Sequence, residues 1–158
     1  MSMSLPAMVS PKFLDILNYS ICSAINQAVG PEKALEIFRA MGRTHYAELK
    51  KGNLIKPHKN PMDVLESIAR YLEFSGYLER IDIQRLSENE AVVDMYGVTV
   101  LESSVRLTEE NKQPSHIMTN TMFAALEELG YEAELIDLLF EKEKNHVREK
   151  WIIRKRIA

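Results

Sequence analysis

The sequence predicts an α+β fold: three N-terminal helices, then an antiparallel sheet of about four strands with one inserted helix, in the order ααα-ββ-α-ββ. Three observations predict it. Apolar residues recur every three or four positions from Pro11 to about Ser75. The period then changes to two, with ERIDIQRL at Glu79 to Leu86 and AVVDMY at Ala91 to Tyr96. Glycines and prolines punctuate the change: Gly30, Gly52, Gly76 and Gly130 each follow a helical stretch, where a C′ residue takes positive φ at low cost.

Prolines mark the complementary ends. Ser10-Pro11 opens the first helix, which runs to about Val29 with Phe13, Leu14, Leu17, Ile21, Ala24, Ile25 and Ala28 as its packed face. Ile16 and Tyr19 widen that face, so this helix is expected to be covered on more than one side. Pro31 opens the second, to about Lys51, with Leu35, Phe38, Gly42, Tyr46 and Leu49 in phase. Glycine inside a helix costs about 1 kcal/mol against alanine, so Gly42 predicts a close approach by another helix or a ligand. Asn60-Pro61 opens the third, with Val64, Leu65, Ile68 and Leu72 inward.

The two strands that follow are joined by the turn Ser87-Glu88-Asn89-Glu90. Val98 to Leu101 reads as a continuation of the second strand or another short piece, and Glu109 to Ser115 as a polar loop. A fourth helix carries Met118, Met122, Ala125, Leu126 and Leu129 on one side. The last two strands, Leu135 to Glu141 and Val147 to Ile157, form a hairpin about Lys142 to Asn145. Residues 1–10 read as a flexible N-terminal arm and 11–158 as one α+β domain.

The net charge is −3. A partner of nucleic acid usually carries a basic excess, so the totals count against that class. The final strand does put Arg148, Lys150, Ile152, Arg154 and Arg156 on one face, opposite Val147, Glu149, Trp151 and Ile153. Between Ile136 and Ile157 there are seven Lys/Arg against four Asp/Glu, so the local excess is small. A solvated sheet face with cross-strand acids (Asp82, Asp94, Glu141, Glu143) accounts for that row. One cysteine, Cys22, excludes an intramolecular disulfide and fits a reducing, cytoplasmic setting. No apolar run is long enough to span a membrane.

None of the four histidines sits in a metal-ligand spacing, and no glycine-rich phosphate loop is present. No metal or cofactor is therefore assigned. His45 and Glu48 share one helix face, and His58 and His146 lie in or near turns, where water is the expected partner. His116 stands out. In QPSHIMTNTMF it opens the fourth helix, with Thr119 and Asn120 beside Met118, Met122 and Phe123. Apolar walls with a few placed polar groups are what a small-molecule pocket needs. The competing reading is a capped helix start with its polar side in water.

The order of elements, with VTVLESS, PSHIMTNTMFAALEELG and AELIDLLFEKEKNHVREKWIIRKR, resembles the 4-vinyl reductase or hydrocarbon-binding domain superfamily, which includes haem nitric-oxide sensors and vesicle-tethering subunits. The match is best from Val98 to Arg156. The chain lacks the superfamily's cysteine at the start of the last helix, the two cysteines and glycine across the final hairpin, and the YxSxR motif of the haem sensors. A thiol-bound metal or cluster is thus not implied. What the resemblance implies is an apolar or amphipathic ligand held between helices and sheet, in a homodimer.

Three expectations follow. The first is a ligand-binding or sensing domain whose site draws on Tyr46, Tyr96, His116, Asn120 and Met122; tyrosine offers an apolar body and one polar tip. The second is a non-enzymatic assembly module, dimerising through the first helix around Ile16, Tyr19 and Ile21. The third is a small hydrolase using His116 as base, for which no nucleophile or orienting acid is evident.

Overall fold

A computed structural model describes residues 8–157. The arm expected over residues 1–10 is therefore described only from Met8, and residues 1–7 and 158 lie outside the described residues. The helices are α1 (Pro11–Val29), α2 (Pro31–Lys51), α3 (Pro61–Phe74), α4 (Leu101–Glu109) and α5 (Ile117–Glu128). The strands are β1 (Arg80–Arg85), β2 (Glu90–Tyr96), β3 (Tyr131–Glu141) and β4 (His146–Lys155), with a short 3-10 turn at Lys142–Lys144. They form one antiparallel sheet in the order β1-β2-β4-β3. Helices pack on one face only, so each strand alternates.

The inward row of β2 is Ala91, Val93 and Met95; that of β4 is Val147, Glu149, Trp151 and Ile153. Trp151 is fully buried and T-shaped against Phe123 of α5, with ring centroids 4.9 Å apart. β3 is an edge strand and begins earlier than expected, at Tyr131. Its register slips between Leu135 and Asp137, so Leu135 faces Trp151 while Asp137 faces Lys150. This bulge changes the phase of the strand and lets Leu135, Leu138 and Phe140 all pack against the core.

Three local departures have physical causes. Val98 to Leu101 is not a strand: Gly97 turns the chain at φ 66°, and Leu101 begins α4. The Ser103 amide, an orphan donor in the first turn of α4, is accepted by the Asp15 carboxylate of α1 at 3.0 Å. That cap comes from a residue 88 positions away, beyond the reach of any local pattern. At the end of α2, Gly52 stays right-handed (φ −79°) and Asn53 takes the left-handed position instead (φ 54°).

The third concerns α1. Its buried residues are Asp15, Cys22, Ser23 and Asn26, so the polar side faces inward. Phe13, Ile16, Leu17 and Ile21, expected as packed or flanking residues, remain exposed. The buried polar side is consumed by hydrogen bonds. Asn18 donates to Ser103 Oγ (2.8 Å), and Asn26 exchanges two bonds with the Gln113 backbone (2.8 and 2.9 Å). α1 thus straps α4 and the following loop to the body.

α2 and α5 cross where Gly42 was expected to admit a neighbour. A Cβ at Gly42 would lie 2.5 Å from the Asn120 carbonyl carbon. Gly42→Ala gains helix propensity but forces two backbones apart. Overpacking of this kind costs about 1–3 kcal/mol, so a lower denaturation midpoint is predicted. An unchanged or raised midpoint would show that the crossing is looser.

Candidate functional site

The site begins with one out-of-place residue. Glu149 lies on the apolar row of β4 and is 1% exposed. Burying a carboxyl in apolar surroundings is costly unless it is hydrogen-bonded. Two side chains meet that need: the Thr119 hydroxyl of α5 lies 2.7 and 2.8 Å from its two oxygens, and the Trp151 indole donates at 2.7 Å. The result is a polar node joining α5 to β4 inside the hydrophobic layer.

α5 supplies the node because its first turns are polar on the inside. Thr119, Asn120 and Thr121 are all buried. The Asn120 amide donates to the Ser115 carbonyl (2.9 Å), and Thr121 donates to that of Ile117 (2.6 Å). His116, at the joint between loop and helix, is left-handed (φ 41°, ψ 42°). A non-glycine residue there is strained and persists only when its surroundings enforce it.

Next to the node is a small cavity of about 40 Å³, walled by Tyr77, Met95, Leu101, Met118 and Phe140 with His116, Thr119 and Glu149. It has room for water, which needs roughly 10–15 Å³. On the far side of His116 and Thr119 a groove of about 440 Å³ opens between α2, α5 and β3, with Leu35, Phe123, Leu135 and Leu138 as its apolar walls. This volume lies in the range of small-molecule sites, about 300–1,000 Å³. A second groove of about 630 Å³ reaches the cavity's other end at Tyr77 and Met118.

The expected site residues do not all converge. His116 and Asn120 line the 440 Å³ groove. Met122 is 1% exposed and belongs to the core. Tyr46 is also buried; Lys50 lies over its ring at 4.7 Å, and burial followed by its bond to Glu128 raises its pKa. Neither lines a described cavity. Tyr96 stands on the opposite, outer face of the sheet, stacked on His146 at 4.7 Å under the Arg80 guanidinium. His146, expected in water, is 6% exposed and lies between Glu141 (2.8 Å) and Asp94 (2.6 Å). Burial works against the Asp94 charge, but Arg148 and His146 outweigh it and hold the carboxyl below its ordinary value. The rest of the basic row is solvated, with Lys150 3.6 Å from Glu90.

Glu149 carries the node, yet its chemistry was not expected from the sequence. The signal was present: one acid in phase with Val147, Trp151 and Ile153 on an otherwise apolar row. His116 makes no side-chain hydrogen bond among the described residues and shares the small cavity with Glu149. Cys22 is buried between α1, α2 and α4 and lines none of the described cavities, and burial pushes its thiol pKa up.

The fold has known counterparts. A trafficking protein particle complex subunit 3 from Naegleria fowleri, covalently bound to palmitic acid, superposes with a TM-score of 0.62 at 14% identity, over 94% of this chain and 97% of that one. An Fe(II) unliganded H-NOX protein from K. algicida superposes at 0.59, again at 14% identity, over 96% of this chain and 76% of that one. The chain shares their fold. No family profile and no curated protein matches the sequence. No helix among the described residues is long and apolar enough to cross a membrane.

Burial lowers the pKa of His45 and of His116, in the latter case against the opposing Glu149 charge. In the unfolded chain each takes up its proton near the ordinary value of 6.5, and in the fold only at lower pH. Stability therefore falls as pH drops below that value, until the folded values are passed. The melting temperature should decrease from about pH 7 to pH 5, and less so in a His45→Gln/His116→Asn variant. An identical slope in that variant would remove both histidines from the explanation.

Proposed function

We propose that this chain is a small-molecule-binding domain that takes an apolar or amphipathic ligand into the layer between helices and sheet. The observation that carries this reading is the 440 Å³ groove, whose apolar walls end at His116 and Thr119, the residues that also line the smaller cavity. The node beneath gives the site a fixed floor. Glu149 holds Thr119 on one side and Trp151 on the other, so the wall of the site need not be ordered by the ligand. A rigid site avoids that part of the entropic cost of binding. The two structural counterparts support a ligand-binding role, one by its bound palmitic acid and the other as an H-NOX protein. Their fold also supports a place in the hydrocarbon-binding superfamily. On this reading the domain works in the cytoplasm, where Cys22 stays reduced.

The test uses the single tryptophan, which sits in the node. Titration with n-decanol is expected to give a saturable change in Trp151 emission and a raised melting temperature. Leu138→Asn, which removes an apolar wall, should weaken binding about tenfold. Absence of both a saturable signal and stabilisation contradicts the reading.

A second reading rests on a separate observation, the exposed apolar side of α1. Phe13, Ile16, Leu17 and Ile21 are 59%, 56%, 42% and 44% exposed. Patches of this kind mark interaction sites, and a two-fold pairing of α1 with its copy would cover them. As an assembly module the protein would be a homodimer with or without ligand. Sedimentation should show a dimer in the wild type and a monomer in Ile16→Lys/Ile21→Lys. A monomeric wild type removes this reading.

A further inference from the structure

The ligand groove does not end at its apolar walls. It shares Arg39, Asn120, Phe123 and Glu134 with an adjoining groove of about 300 Å³ that is lined by Arg39, Arg43, Arg154 and Arg156. Three acids also reach this second groove: Glu127, Glu132 and Glu134. Two of them are engaged. Arg43 holds Glu127 through two nitrogens at 3.1 and 3.4 Å, and Arg156 lies 3.4 Å from Glu132. Among the described residues, Arg39 and Arg154 pair with no carboxylate, although Arg154 stands directly opposite Glu132 in the strand register. Two guanidiniums thus remain available at the mouth of an apolar groove, against one unengaged acid, Glu134.

We propose that Arg39 and Arg154 bind the anionic head of an amphiphile, a carboxylate or a phosphate, whose hydrocarbon tail lies along Phe123, Leu135 and Leu138 toward His116. This inference rests on the ligand-binding reading above and names its ligand class. Charge orders the ligand along the groove. The arginines at the mouth attract the head, because a guanidinium fork matches the planar oxygens of carboxylate and the oxygens of phosphate. At the inner end the Glu149 carboxyl, behind Thr119, already accepts from Thr119 and Trp151 and offers an anionic head no donor. A tail, with neither charge nor hydrogen bonds to satisfy, is what the inner end accepts. The head is therefore placed at the mouth and the tail within. The arrangement also gives Arg154 a role beyond the solvated basic row of β4.

The experiment compares decanoate, decyl phosphate and n-decanol by Trp151 fluorescence, in the wild type and in Arg39→Gln/Arg154→Gln. Both arginines are exposed and unpaired, so the variant should keep its melting temperature. The wild type is expected to bind at least one anion about tenfold tighter than the alcohol. Added salt should reduce that advantage. The double variant should bind anion and alcohol alike. Preference for decanoate or for decyl phosphate identifies the head group. Equal binding of anion and alcohol by the wild type overturns the inference while leaving the ligand site standing, as does an anion preference that survives in the variant. Failure of all three probes to bind the wild type overturns the ligand-binding reading itself, and this inference with it.

Discussion

The carboxyl of Glu149 joins the two layers of the molecule. It is buried on β4, accepts from Thr119 of α5 and from Trp151 on its own strand, and leaves a small cavity beside the bonds it makes. A hydrophobic residue at this position would pack without such demands. The glutamate instead requires its donors to stay in place, because an unsatisfied buried polar group costs about 1–3 kcal/mol. That requirement sets where α5 sits over the sheet, and hence the position of His116 and the width of the groove outside it. The close crossing of α2 over α5 at Gly42 fixes the groove's other wall.

The same logic explains the unusual orientation of α1. Its buried Asp15 and Asn26 and its half-buried Asn18 hold the start of α4 and the loop that leads into α5. With that side committed to hydrogen bonds, its apolar side has nowhere to go but outward. The exposed face is therefore a consequence of how the loop before His116 is tied down. An interface on α1 and a ligand site beyond His116 would be linked through the residues between them, Gln113 to Ser115.

Much of the architecture was legible in the sequence, because local periodicity carries it. The helices opening at Pro11, Pro31 and Pro61, the β1–β2 and β3–β4 hairpins and the two faces of β4 all follow from spacing. What was not legible depends on distant partners. α4 was missed because Val98 to Val100 has β propensity and the cap of α4 comes from Asp15. The packed side of α1 was misassigned because periodicity finds an apolar face without showing what covers it. At the site, His116 and Asn120 follow from composition around a helix start, and both line the groove. Tyr46 and Met122 are core residues and Tyr96 lies on the outer sheet face; sequence cannot say which of several in-phase residues meets a cavity. Glu149 shows the reverse lesson, since a lone acid on an apolar row is visible in the sequence and takes its meaning from Thr119.

The ligand proposed for this chain would lie beside the Glu149 node, between the helices and the sheet. The most direct test is a two-dimensional NMR titration with decanoate, following backbone amides and the single indole N–H of Trp151. The indole signal and the amides of His116, Thr119 and Leu138 should shift together and saturate at one affinity. Shifts confined to the exposed face of α1, from Phe13 to Ile21, with the indole unmoved, would contradict it.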